Sequence, residues 1–369
     1  MPAIYITATG RNAGKTTIAL GLLAALEERG YSTQYFKPVG QHFCEQDGQL
    51  ADSDVWLCRE ATCSLTEAET MSPVIIPAGF VSAYLSDPKP LALREKIIAA
   101  AECLSLKADV LVVEGTGHAG VGSCLDLSNA AVASMLGASV LMVVPGGVGR
   151  SLDEVSLNMR FFEGCGVSLV GVVVNKVFKE KYERVTSSLA CGLERLGTRL
   201  IGAIPYEPAL SFPTMDQIRL ELDAAVLSGQ DMLQNVVENT IVAAMTAQNA
   251  LRYLTRGTLV ITPGDRVDNI LMAISADGSQ STRGRRKIAG VVLTGGLMPH
   301  VTIMPLLKNA GFPVLLSQHD TYTVSSCISQ RVFKINPGDS GKIASARSFV
   351  RDYVDLDAIL SSIGVGSTG

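Results

Sequence analysis

Six short apolar, β-branched runs recur through the first two hundred positions: AIYITA, STQYFKPV, ADVLVVEG, ASVLMVV, VSLVGVVVN and TRLIGAI. None alternates apolar with polar residues, so a strand made from any of them is covered on both faces. Longer stretches with helical spacing follow these runs, among them KTTIALGLLAALEERG, read as a long amphipathic helix, and DEVSLNMRFFEG. With right-handed crossovers, this rhythm predicts a doubly wound α/β domain, a parallel sheet wrapped in helices. YEPALSFPT, with Pro208 and Pro213, breaks the rhythm and marks a boundary. A smaller α/β rhythm then resumes in GTLVITPGD, RKIAGVVLTGG and FPVLLSQHD, each followed by a helical stretch. The expected organisation is a first domain over 1–210, a second over 215–335 and a helical extension over 336–369. GQDMLQNVVENTIVAAMTAQNALRYL reads as partly helical and has no evident place, and the terminal GVGSTG is expected to fray.

Composition narrows the function classes. A hydrophobic fraction of 47% with 18% charge belongs to well-packed globular chains. Net charge of −4 gives no general attraction to nucleic acid or an anionic membrane. The one local basic run, Ser281–Lys287, reads as a solvated loop. Eight cysteines are scattered without a Cys-x-x-Cys pair, which argues against a zinc site or a disulfide framework and fits a reducing cytoplasm. The N-terminus lacks the basic start and long apolar core of a signal peptide. The most apolar window, NAAVASMLGASVLMVVPGG, is interrupted by Gly137, Ser139 and Pro145, so it reads as helix, turn and buried strand, not a membrane span. A soluble, cytoplasmic protein is expected.

The first run feeds TATGRNAGKTT, Thr7 to Thr17, which opens a helix. Strand, glycine-containing loop and helix form the context a phosphate-binding loop requires, and Thr9, Gly10, Arg11, Asn12, Ala13, Gly14, Lys15, Thr16 and Thr17 are its expected residues. Amides of residues 10–16 and the helix N-terminus would hold phosphate oxygens. Lys15 would neutralise the outer phosphates, and the Thr16 hydroxyl would ligate Mg²⁺. The front end is unusual, because Thr9 stands where the common loop has its first glycine. Two further features belong at the same sheet edge, where ligands of such folds gather. Glu114 ends a buried run and is followed by Gly115, Gly117, Gly120 and Gly122; Asn175-Lys176 ends another. An amide there can donate to and accept from a purine edge. Phe178 stands where a guanine-reading Asn-Lys carries aspartate, so ATP is expected over GTP. Of the four histidines, none has metal-ligand spacing, and only His118, in the glycine loop, has an expected chemical role. The second domain sets Gly264-Asp265-Arg266, Thr294-Gly295-Gly296 and His319-Asp320-Thr321 at one sheet edge. Helix starts there either receive an anion or polar ligand or are simply capped by Asp265 and Asp320.

On these residues, positions 1–210 resemble dethiobiotin synthetase and its relatives among the cobyrinic-acid amide synthases. Their phosphate loop has five residues between its glycines before GKT; the first of those glycines falls on Ala8 here. YFKPVGQ is similar to their Lys-Pro-Val segment, which implies a place for Lys37 beside the loop, near a substrate carboxyl or carbamate. Asp54, with Asp52 as a rival, matches the aspartate that helps hold Mg²⁺, and VVEGTG makes Glu114 the second acidic group. VNKV implies a base-binding Asn175, and IGAIPYEP brings Pro205 near the nucleotide. Lys15 and Lys37 are the implied catalytic pair. Gly40 and Gln41 replace the diamine-receiving serine–glycine pair, so biotin synthesis is not expected; Gly10 replaces the signature lysine of partition ATPases. With Asp265-Arg266 and Thr294-Gly295-Gly296, the chain is more similar to the N-terminal half of long-form phosphotransacetylases and their free-standing relatives, which join such a domain to a DRTGG domain. No acyl-transferring domain follows before Gly369, so phosphotransacetylase activity is not expected. The resemblance implies a MgATP-dependent regulator with slow hydrolysis, a small ligand or protein partner at Asp265, Arg266, Thr294, Gly295 and Gly296, and a homo-oligomer. The alternative is an ATP-dependent ligase, with Lys15 and Lys37 stabilising phosphoryl transfer to a carboxylate. A nucleotide-free scaffold is disfavoured by the intact loop.

Overall fold

The computed structural model describes residues 2–278, 288–331 and 333–365. The basic run Ser281–Lys287 and most of the terminal GVGSTG lie outside the described residues. Two units form: residues 1–207 with 335–369, and residues 208–334.

All six apolar runs of the first unit become strands of one sheet. They are β1 (Ala3–Ala8), β2 (Thr33–Phe36), β3 (Val110–Glu114), β4 (Ser139–Pro145), β5 (Leu169–Val177) and β6 (Leu200–Pro205), in the order β6-β5-β4-β1-β3-β2. Every pairing is parallel, with Ile6 opposite Glu114 and Ala8 opposite Val143. Parallel pairing sends every C-terminal strand end to the same edge, which is how sequence-distant loops come to share one site. Every residue of β1 and β3 is buried, as their unbroken apolar character requires.

The helix that follows β1, α1 (Lys15–Glu28), is not amphipathic. Ile18 through Leu26 are buried without a break. A helix apolar all round is one covered on every side. Here the sheet takes one side, and the chain's late helix Ser340–Tyr353 takes another: a Cβ on Gly21 would come 2.2 Å from a Val350 methyl and 2.6 Å from the Ala346 carbonyl oxygen. The late segment thus packs into the first unit, where Val354 also bridges to Gly202 on β6. Between β2 and β3 the chain adds an antiparallel hairpin, Phe43–Gln46 with Gln49–Asp52, and the helix α2 (Ser53–Ala61).

The second unit has a five-stranded sheet. Its strands are β7 (Ala225–Ser228), β8 (Asn239–Val242), β9 (Thr258–Pro263), β10 (Ile288–Thr294) and β11 (Val314–Leu316), ordered β7-β11-β10-β9-β8. Only β7 runs antiparallel. Leu259 and Ile261 point to a core shared with Met215, Ile218, Val324 and Ile328, while Val260 between them joins Ile270, Ala273 and Leu307 on the other face. That two-residue alternation in an apolar run is what a sheet covered on both sides produces. The segment without an evident place supplies β8, an edge strand, and the short helix Ala247–Ala250.

Candidate functional site

The phosphate-loop segment turns sharply between β1 and α1. Asn12 and Gly14 both hold left-handed backbone, with φ of 59° and 102°. Gly14 precedes the first helical residue, Lys15, and its carbonyl accepts from Ile18 N at 3.0 Å. Glycine is required at 14 twice over, because a Cβ there would also lie 2.1 Å from the Asn175 amide nitrogen. Arg11 and Asn12 are exposed, Ala13 is buried, and Thr9, Gly10, Lys15, Thr16 and Thr17 are half-buried, so the loop lines an accessible surface.

Behind the loop stands a buried charge cluster. Lys37 Nζ lies 2.8 Å from Asp54 Oδ2 and 2.9 Å from Glu114 Oε1, with the lysine and aspartate side chains 5% exposed and the glutamate 1%. The same Oε1 accepts the Thr16 hydroxyl at 3.0 Å, and Glu114 Oε2 accepts the Tyr35 hydroxyl at 2.8 Å. Burial alone would drive Lys37 towards its neutral form, but Asp54, Glu114 and Asp52 outweigh it and hold its pKa well above the ordinary lysine value. Burial, with Glu114 alongside, raises the Tyr35 phenol well above its usual range, so Tyr35 acts as a donor.

Of the two rival aspartates, Asp54 faces the lysine. Asp52 caps α2, with Oδ1 accepting from Asp54 N, while Oδ2 accepts from Gln41 N and His42 N. Asn175 and Lys176 sit at the end of β5, where Asn175 Nδ2 donates to the Ala13 carbonyl and Lys176 Nζ to the Asn12 carbonyl, each at 2.9 Å. Pro205 ends the neighbouring β6 at the same edge. His118 is exposed on the glycine loop; its backbone carbonyl, with that of Thr116, accepts from Asn129 Nδ2. Asn129 Oδ1 in turn accepts from Tyr5 OH and Thr116 N, so one buried amide pins the loop that follows Glu114.

Tyr35, Asn129 and the reach of Lys176 to the loop are the features that sequence reasoning missed. Tyr35 had a signal, since it stands two residues before Lys37 in extended chain and so shares its face. Asn129 had none, because its partners are the first strand and the glycine loop.

These donors suit a hard divalent cation. The Thr16 hydroxyl and the Asp54 and Glu114 carboxylates are oxygen ligands, the kind Mg²⁺ prefers. Among the described residues no group of three or more histidine, cysteine or acidic side chains is placed to hold a metal. Two carboxylates and a hydroxyl beside a phosphate loop fit a cation that takes its remaining ligands from phosphate and water.

In the second unit the three polar turns interlock. Gly295 N donates to the His319 carbonyl at 2.7 Å and Gly296 N to the Ser317 carbonyl at 2.9 Å, and the hydroxyls of Thr294 and Thr321 are 2.7 Å apart. Asp320 caps the helix Thr321–Gln330 through the amides of Tyr322 and Thr323. Arg266 makes a two-point pair with Asp268, 3.0 Å at each nitrogen. The Asp265 backbone carbonyl accepts from Val267 N.

A parallel sheet with a phosphate loop after its first strand and an acidic residue ending the adjacent strand is a P-loop NTPase domain. Residues 2–214 match the AAA domain family AAA_26, and the chain belongs to that family; residues 217–331 match the DRTGG domain. The chain is 28% identical to a phosphate acetyltransferase of Nitratidesulfovibrio vulgaris over 98% of its own length and 51% of the relative's. It is 26% identical to the Synechocystis enzyme of that name, over 97% of this chain and 51% of the other. It therefore spans about half the length of the curated relatives it matches. The MinD cell division protein of Aquifex aeolicus is 19% identical over 57% of this chain and 84% of that one, with a TM-score of 0.38. Among the described residues no helix is long and apolar enough to cross a membrane.

Proposed function

We propose that the first unit binds MgATP and that the protein is a nucleotide-dependent regulator, with the DRTGG domain sensing a small ligand or protein partner. The observation that carries the reading is the convergence of Thr16, Lys37, Asp54 and Glu114 behind the loop that ends in Lys15. Loop amides and the start of α1 would bind the phosphates, with Lys15 on the outer ones. Thr16, Asp54 and Glu114 would hold Mg²⁺, whose part is to neutralise charge on the transferred phosphoryl group. Tyr35 and Lys37 keep Glu114 oriented, because each holds one of its oxygens. Pro205 lies at the edge where the rest of the nucleotide would extend. Asp265, Arg266, Thr294, Gly295 and Gly296 would frame the second unit's ligand site.

A ligase reading is favoured by one observation: Lys37, placed between two carboxylates, provides a second ammonium near the phosphate loop that could meet a substrate carboxylate or carbamate. Phosphate release from MgATP, measured with binding in the same samples for wild type and Lys15→Ala, tests both. A regulator binds MgATP and turns over far more slowly than the roughly 10 per second of ordinary enzymes. Rapid release that disappears in Lys15→Ala would contradict the regulator and favour the ligase.

A further inference from the structure

Two successive side chains at the end of β5 reach two successive carbonyls of the phosphate loop. Asn175 takes that of Ala13 and Lys176 that of Asn12. A trans peptide points its C=O and N–H to opposite sides. Drawing the Asn12 carbonyl towards β5 therefore turns the Ala13 N–H away from that strand, and drawing the Ala13 carbonyl turns the Gly14 N–H likewise. Both belong to the set of amides that opens α1.

The backbone there is held in conformations that side chains disfavour. Lys176 has φ of 63° and Asn12 has 59°. Such residues persist only where the surroundings over-determine them, and they cluster at functional sites. Asn175 is 5% exposed, and its amide is fixed at both ends, since Oδ1 accepts from Lys176 N at 2.9 Å. An amide packed within 2.1 Å of where a Cβ on Gly14 would lie is set against the loop itself.

We propose that Asn175 and Lys176 are positioning residues that clamp the phosphate loop and aim the Ala13 and Gly14 amides. The inference rests on the reading of the loop as a triphosphate site. It adds to the expected base-binding role of Asn175 one in which the asparagine serves any ligand carrying the phosphates.

Binding of MgATP and of magnesium tripolyphosphate, which has neither base nor sugar, separates the two roles. The full chain is compared as wild type, Asn175→Ala, Lys176→Met and Lys176→Arg. The clamp predicts that Asn175→Ala and Lys176→Met each weaken tripolyphosphate as well as MgATP, by about tenfold, as expected when hydrogen bonds to a charged group are misdirected. Lys176→Arg, which keeps a charged donor, restores affinity for both. Loss of ATP affinity alone in Asn175→Ala would make it a base reader and overturn the clamp. Unchanged binding of both ligands by Lys176→Met would also overturn it. Should Asn175→Ala fail to fold, the half-buried Lys176 pair carries the same comparison. Wild-type protein that binds neither ligand would refute the triphosphate reading and the clamp with it, whereas wild type binding both, with tripolyphosphate affinity unchanged in the variants, refutes the clamp alone.

Discussion

At Glu114 three donors share two carboxylate oxygens: Thr16, Lys37 and Tyr35. Removing the central cation should expose how much the cluster depends on balance. Lys37→Met removes the ammonium that pairs with buried Asp54 and Glu114, and breaking a buried pair this way costs about 3–5 kcal/mol. Urea denaturation should show that loss in the first unit; a change below about 1 kcal/mol would mean that water reaches the cluster. The second unit offers a pH test. The Thr323 hydroxyl, then backbone amides, hold the Asp320 carboxyl below the usual aspartate range. A group depressed in the fold contributes stability above its unfolded pKa of about 3.9, and that contribution is lost as pH falls through the lower folded value. Acid unfolding followed by circular dichroism should therefore be less steep below about pH 4 in Asp320→Asn than in wild type; identical acid limbs would contradict the cap. Lys15, Thr16 and Glu114 were legible because a motif or a strand end marks them. The separation of Asp52 from Asp54 was not, since both lie in one tripeptide and only the start of α2 decides which one caps it.

Among the elements, the strands of the first sheet announced themselves because both faces are covered, so that outside the edge strand β2, with its half-buried Thr33 and Gln34, the runs are apolar through their middles. In the second sheet, β7 and β8 were unreadable for the opposite reason. They are four-residue edge strands with mostly half-buried or exposed side chains, and so they carry little apolar signal. The helix α1 was misread as amphipathic because the sequence cannot say that the far later helix Ser340–Tyr353 will cover its outer side. Gly21 tests that packing. A methyl group there meets the Ala346 carbonyl oxygen, which is backbone and cannot rotate away. Overpacking costs about 1–3 kcal/mol, against a helix-propensity gain of about 1 kcal/mol for alanine over glycine. Gly21→Ala should come out destabilised by up to about 2 kcal/mol in a denaturant titration; stabilisation would show that the two helices are not in close contact.

Over the whole molecule, the chain divides into two compact units, residues 1–207 with 335–369 and residues 208–334. What could not be read is that residues 335–369 rejoin the first unit, because a return over a hundred positions leaves no local trace. Family membership adds that an AAA domain and a DRTGG domain follow one another along the chain. The central claim is that the first of these binds MgATP through its phosphate loop. Calorimetric titration of MgATP into wild type and Lys15→Ala tests it most directly. The account predicts saturable binding by wild type that weakens at least about tenfold, or about 1.4 kcal/mol, in the variant and on removal of Mg²⁺. No binding by wild type, or equal affinity in Lys15→Ala, would contradict it.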